Sequence, residues 1–317
     1  MIVKKLISIG IPCFNEELNV YPTYNTLVKI IRGLTKKYNF EFIFVDNYSN
    51  DKTREKIKEL SKKDNRVVGI FLSRNFGAEA SGQAAIDYAK GEAFIFLEAD
   101  LQDPPELIPK FIKHWEKGNN VVIGIRDKIE DNIFIMFLRK LFYRVFKLIS
   151  YMDVPVNAGS FGLIDKKVIE AIKLIPEKYR FFRGLRAWVG FKTTHVNYNR
   201  KQRKLGKTSY NFFDYIKHAE RGIFGFSYLL LDLMVYGGFI IVFFSFLFII
   251  GYLYTVIVIG NPIKASIPTM LAIVFFGGVQ LLAISVIGKY IQVIVEETKN
   301  RPMYIVEETV NIKKDKV

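Results

Sequence analysis

The stretch AFIFLEADLQDPPE, residues 93–106, passes from a short apolar run into a set of acids and ends in a double proline. A short apolar run bounded by turn residues is the pattern of a strand buried on both faces of a sheet. Residues 6–11, 40–45 and 67–72 repeat it, and 121–123 is a shorter example. Between these runs, residues 17–37, 51–63 and 77–90 are polar with helical spacing. Alternating strands and helices predict an α/β protein built on an open, mostly parallel sheet. Such sheets bind ligands beyond the carboxyl ends of their strands. Three of the strands end in polar sets, at 12–17, 46–51 and 98–103, so the acids gather at that edge.

The chain has 317 residues, about two domains' worth. Half is hydrophobic and mean hydropathy is +0.16, which excludes intrinsic disorder and low-complexity fibres. The one cysteine excludes an internal disulfide framework. Lys+Arg 46 against Asp+Glu 31 gives a net charge of +15. That charge points to polyanionic partners: nucleic acid, phosphorylated small molecules or anionic lipid. There is no G-x-G-x-x-G and no G-x-x-x-x-G-K-[ST], which argues against a dinucleotide fold and a P-loop enzyme.

The membrane narrows the choice. Residues 233–263 and 265–288 contain no Lys, Arg, Asp or Glu, and at 31 and 24 residues both exceed the length that crosses a bilayer as a helix. Gly260, Asn261, Pro262 and Lys264 fall between them as the turn of a two-helix transmembrane hairpin, with spans at about 233–259 and 265–288. Lys201, Arg203, Lys204, Lys207, Lys217 and Arg221 precede the first span, and Lys289, Lys299 and Arg301 follow the second. The positive-inside rule then places both termini in the cytoplasm, and the N-terminus shows no signal peptide. Residues 132–151 and 211–228 mix aromatics with cations, the composition of interfacial amphipathic helices. The organisation expected is a cytoplasmic domain over 1–210, a juxtamembrane helix over 211–228, spans within 229–292 and a cytoplasmic tail over 293–317.

Glu98, Asp100 and Gln102 alternate, and in extended chain such residues face one way. Three hard oxygens on one face suit Mg²⁺ or Mn²⁺, although a solvated acidic turn capped by Pro104 and Pro105 explains the same letters. Asp46 closes an apolar strand and sits too early to cap the next helix, a role that suits Asn50 or Asp51.

Together, Ile11-Pro12-Cys13-Phe14-Asn15-Glu16-Glu17, Phe44-Val45-Asp46 with Ser49 and Asp51, and Ala99-Asp100-Leu101-Gln102-Asp103-Pro104-Pro105-Glu106 resemble glycosyltransferase family 2. More narrowly the chain resembles the polyprenyl-phosphate glycosyltransferases, the group of dolichol-phosphate mannose synthase and bacterial undecaprenyl-phosphate glucosyl-type enzymes. Gly124-Ile125-Arg126, residues 159–165, Gly206-Lys207-Thr208-Ser209-Tyr210 and Asn300-Arg301-Pro302-Met303-Tyr304-Ile305-Val306 extend the resemblance along nearly the whole chain. It implies a GT-A-type, Rossmann-like fold and inverting transfer of a sugar from a nucleotide-sugar, UDP-hexose favoured, to undecaprenyl phosphate. By the same resemblance Pro12, Phe14, Glu16, Asp46, Ala99, Asp100 and Arg126 would hold the donor. Glu98, Asp100 and Gln102 would hold the metal, and Arg139, Arg203 and Lys207 the acceptor phosphate; Asp100, Arg126, Arg139 and Arg203 would be the catalytic set. Two positions depart from the pattern: Glu98 stands where Asp is usual, and Asn47 replaces the second acid of an Asp-Asp pair.

Two other readings stay open from sequence. A processive polysaccharide synthase would carry Gln-x-x-Arg-Trp, which Arg183-Gly184-Leu185-Arg186-Ala187-Trp188 does not match. A membrane-tethered, non-catalytic nucleotide-sugar binding module would tolerate Glu98 and Asn47. The paired glycines 237–238 and 277–278 would let the hairpin pack against copies of itself. No nucleic-acid-binding module is recognisable, so membrane, lipid phosphate and nucleotide-sugar are the expected partners.

Overall fold

The computed structural model describes residues 4–127, 157–178, 180–202, 205, 229–254, 257–258 and 266–312. Eight strands form one sheet in the order β7-β5-β6-β4-β1-β2-β3-β8. They are β1 (Lys5–Cys13), β2 (Tyr38–Asp46), β3 (Val67–Leu72), β4 (Ala93–Phe96), β5 (Val121–Arg126), β6 (Ala158–Asp165), β7 (Thr193–Tyr198) and β8 (Val306–Val310). The helices are α1 (Val20–Ile31), α2 (Thr53–Lys63), α3 (Ala78–Asp87), α4 (Ile108–Glu116), α5 (Lys166–Leu174), α6 (Phe182–Trp188), α7 (Leu229–Tyr254) and α8 (Ser266–Thr298).

The five expected strands are all present, and the central pairs β1–β2, β2–β3 and β1–β4 are parallel. Their continuous apolar runs are explained by cover on both faces. Ile7, Ile9, Ile11, Phe42 and Phe44 pack with α1, α2 and α4 residues on one side; Ile43, Val45, Ile70 and Phe94 pack with α3 and α5 residues on the other. Fully burying each such side chain is worth about 1.5–3 kcal/mol. Gly10 is required where β1 passes over Phe94, because a Cβ there would fall 2.3 Å from the ring.

Three strands escape the sequence reading. β6 is antiparallel to both β4 and β5, and its glycines interrupt the apolar run. β7 lies at one edge and alternates exposed with buried residues toward its end. β8, in the segment expected to be a tail, pairs antiparallel with β3 at the other edge, Gly69 opposite Val310 and Phe71 opposite Glu308. Arg54 and Lys58 of α2 hold it through Glu307 and Glu308 at 2.7–3.0 Å.

At the C-terminal end, α8 runs to Thr298, ten residues past the expected end of its span at 288, because nothing in Lys289–Thr298 breaks a helix. Among the described helices one, its Ala272–Thr298 portion, is long and apolar enough to cross a membrane; α7 carries the shorter apolar stretch Leu233–Phe248. The turn between the two expected spans and both expected interfacial helices, 132–151 and 211–228, lie outside the described residues.

Candidate active site

The carboxyl ends of β1, β2, β4 and β5 meet at one edge, and the loops leaving β1 and β2 are bonded to one another. After β1, the Asn15 amide donates to Ser49 Oγ at 2.9 Å and the Asn50 amide donates back to Asn15 Oδ1 at 2.9 Å. The Glu16 amide donates to Thr53 Oγ1 at 2.8 Å and the Glu17 amide to Asp51 Oδ2 at 3.0 Å. Asn15, Tyr48 and Leu101 adopt positive φ of 55°, 66° and 55°, one in each loop after β1, β2 and β4. Backbone strain of this kind persists only where surrounding structure over-determines it.

Pro12 lies opposite Val45 and Cys13 opposite Asp46 in the β1–β2 register, and Phe14 and Glu16 follow in the loop leaving β1. Asp46 is 0% exposed; its Oδ1 accepts the Ser49 amide at 3.2 Å, while its buried Oδ2 has no partner among the described residues. Burial pushes the Asp46 carboxyl up, against the lowering effect of Ser49. A buried acceptor at a ligand edge is suited to a donor N–H or O–H on a base or ribose.

Asn47, the departure from the acid pair, has a defined task. Its Nδ2 donates to Asn75 Oδ1 at 2.9 Å and its Oδ1 accepts the Phe76 amide at 3.0 Å, tying β2 to the loop after β3. An ionised acid could make only the second of these bonds.

Strand parity does not align Glu98, Asp100 and Gln102. β4 ends at Phe96 and Leu101 turns the chain, so their arrangement is set by a turn. Asp100 Oδ1 accepts the Gln102 amide at 3.1 Å; Gln102 Nε2 faces the Lys201 carbonyl at 3.4 Å; Glu98 Oε2 meets Arg200 Nη2 at 3.3 Å. Ala99 is buried beneath the edge, its carbonyl accepting the Thr23 hydroxyl at 2.7 Å. Partial burial of a side chain still 42% exposed, then the negative charges of Asp103 and Asp100, push the Glu98 carboxyl up, with Arg200 and Arg126 opposing. Among the described residues no three His, Cys, Asp or Glu side chains group as a metal cluster. Glu98, Asp100 and Gln102 offer two carboxylates and an amide oxygen, the hard donor types that Mg²⁺ and Mn²⁺ take.

Arg126 is anchored by Asp103, quoted from sequence only as part of a motif, and by Tyr198, which the sequence did not mark. Its Nη2 donates to both Asp103 oxygens at 3.3 Å and its Nε to the Tyr198 hydroxyl at 3.2 Å; that hydroxyl donates to Asp103 Oδ1 at 2.6 Å. Gly159 of β6 leaves the room, since a Cβ there would lie 3.1 Å from Arg126 Nη2. Although burial opposes it, the Arg126 pKa is raised, chiefly by the charge of Asp103. Lys201, read from sequence as a membrane-flanking cation, is bound to Glu106 at 2.9 Å beside the site. Only the folded chain could reveal these partners, because β7 brings residues 198–201 back to β4 and β5 across about a hundred positions. Arg139, Arg203 and Lys207 lie outside the described residues.

Residues 8–173 match the family model described as "Glycosyl transferase family 2", and this span holds all of the edge except the returning residues 198–201. The chain belongs to glycosyltransferase family 2. It is an enzyme of that family, with a GT-A-like α/β sheet. An uncharacterized glycosyltransferase of Bacillus subtilis, YkcC, is 39% identical over 306 residues, 96% of this chain and 94% of that protein. The SfII prophage-derived bactoprenol glucosyl transferase of Shigella flexneri is 36% identical over 304 residues, 96% of this chain and 98% of that one. Among solved structures, glucosyl-3-phosphoglycerate synthase from Mycobacterium tuberculosis in complex with uridine-diphosphate aligns with a TM-score of 0.45 at 16% identity, covering 69% of this chain and 78% of that one.

Proposed function

We propose that this family 2 enzyme transfers a hexose from UDP-hexose to undecaprenyl phosphate at a cytoplasmic membrane face, with inversion at the sugar carbon. The observation that carries the reading is the run from α8 into the sheet. The apolar helix ends at Thr298, and by Val306 the chain is a strand of the same sheet that builds the donor edge. A lipid-borne acceptor is thereby kept within reach of a water-soluble donor. The full-length likeness to a bactoprenol glucosyl transferase supports the same acceptor.

In this reading Asp46 receives the uracil N–H or a ribose hydroxyl, and Pro12, Phe14 and Glu16 line the nucleoside. Asp100, with Glu98 and Gln102, would hold Mg²⁺ or Mn²⁺, which supplies positive charge to the departing diphosphate. Arg126, held by Asp103 and Tyr198, presents its guanidinium at the sheet edge beside that diphosphate. Arg139, Arg203 and Lys207 are assigned to the acceptor phosphate. That phosphate needs no general base, because its second pKa of about 6 leaves it ionised at neutral pH, ready to attack the anomeric carbon from the face opposite the leaving group. The hairpin of α7 and α8 keeps both termini cytoplasmic.

Purified protein incubated with radiolabelled UDP-glucose and undecaprenyl phosphate is expected to give a labelled lipid product, and a screen of other UDP- and GDP-sugars ranks the donor. Donor binding with no transfer to any polyprenyl phosphate would favour the non-catalytic module instead.

A further inference from the structure

Helix α6 carries two arginines one turn apart, Arg183 and Arg186, on the same side of the helix. Arg186 is 3% exposed, a depth at which guanidinium groups are almost always paired with an acid. Its Nη2 donates to the Gly159 carbonyl at 3.1 Å and its guanidinium carbon lies 5.7 Å from the Phe182 ring centre. Its Nε, and that of Arg183, are buried with no hydrogen-bond partner among the described residues. No ion pair to either arginine is found among the described residues. Burial and the neighbouring charge of Arg183 push Arg186 down to about 9, so it stays charged at neutral pH. Among the described residues the partners of Arg186 are one neutral carbonyl and one ring, and these do not neutralise a buried cation with a second beside it. The Gly159 that receives Arg186 is the same glycine whose Cβ side abuts Arg126, and it is the second residue of β6, next to Ala158, which pairs with Ile125.

We propose that Arg183 and Arg186 form an anion-binding pair that receives a phosphate group of a substrate at the donor edge, on the other side of Gly159 from Arg126. The inference rests on the functional reading above and adds two binding residues to it. The phosphate belongs either to the donor diphosphate or to the lipid acceptor, and both carry the oxygens that two guanidinium forks recognise.

The test compares wild type with Arg186→Met and Arg183→Met, which keep much of the stem and remove the charge. Calorimetric titration with inorganic pyrophosphate and with UDP reports the donor side; the KM for undecaprenyl phosphate reports the acceptor side. Loss of a charge-assisted contact is expected to weaken one of these by roughly ten- to hundred-fold. Without ligand, the Met variants are expected to melt no lower than wild type, because each removes a cation that has no acid partner among the described residues. Weaker pyrophosphate and UDP binding places the pair on the donor; a raised acceptor KM alone places it on the lipid phosphate. A lower melting temperature in Arg186→Met with every affinity unchanged overturns the proposal and makes the arginine structural. If Arg186→Met does not fold, Arg183→Met decides between the same outcomes alone. Wild type that binds pyrophosphate through these arginines yet transfers no sugar would sink the functional reading and leave this inference standing.

Discussion

Asp46 has a buried carboxylate oxygen with no partner among the described residues, and that sets two opposing expectations for Asp46→Asn. Its folded pKa is raised, so the charged form is penalised, and this penalty is present at neutral pH and vanishes as the pH falls below the ordinary carboxylate value. Asp46→Asn should therefore melt higher than wild type at pH 7, with the advantage shrinking on acidification, while binding UDP roughly ten-fold more weakly or worse. A variant that melts lower at pH 7 and binds UDP normally would show that Asp46 is a structural acid. Asp100 gives a second prediction of this kind. Asp100→Ala should lose transfer almost completely, and chelation by EDTA should do the same until Mg²⁺ or Mn²⁺ is restored. Full turnover in chelator would remove the metal from the reading. Glu98→Asp tests the longer arm: the shorter acid draws away from Arg200, and the Glu98–Arg200 contact of 3.3 Å is then lost. With Glu98 half exposed that contact contributes little to stability, so turnover rather than melting temperature should respond.

Between elements, the loops after β1, β2 and β3 are braced through Asn15, Asn47 and Asn75. Asn47→Asp would restore the acid expected from the family pattern, yet it would set a carboxylate oxygen against Asn75 Oδ1, where an N–H now donates at 2.9 Å. A loss of about 1–3 kcal/mol is expected, read as a lower urea midpoint at unchanged slope. An unchanged midpoint would mean that the loop reorganises without cost. The substitution is legible in sequence as a departure, but its consequence is not. Asn75 lies 28 positions away, and only the parallel pairing of β2 with β3 brings it alongside.

The largest unit is the coupling of apolar helix to sheet. Deleting residues 306–317 would strip the partner from β3 and expose the backbone of Gly69, Ile70 and Phe71 as an open edge. The truncated protein should aggregate and melt lower, although every proposed donor residue is retained. Equal stability and solubility would show β8 to be dispensable. Topology is tested in intact cells. A cysteine at exposed Lys62 should resist a membrane-impermeant maleimide, whereas one at Asn261, in the proposed far-side turn, should react. Labelling at Lys62 would reverse the orientation and remove cytosolic nucleotide-sugar as the donor.

The parallel core and the polar edge at its carboxyl ends are written in local sequence. Strands covered on both faces must be apolar throughout, so β1 to β5 and the polar sets that end three of them are visible as local patterns. The apolar C-terminal runs are equally plain, as unbroken uncharged stretches. Contacts at long range emerge only on folding. β8 is short and only partly covered, and Val-Glu-Glu-Thr-Val reads as a polar tail until β3 supplies its hydrogen bonds. Asp103 shows in the sequence only as a member of an acidic motif, and Tyr198 and Arg200 look like ordinary surface polar residues; they become the frame of Arg126 only when β7 folds back beside β5. In the sequence Arg183 and Arg186 stand out only as part of a stretch that misses the Gln-x-x-Arg-Trp pattern; what gives them a task is burial, and burial is a property of the packed molecule.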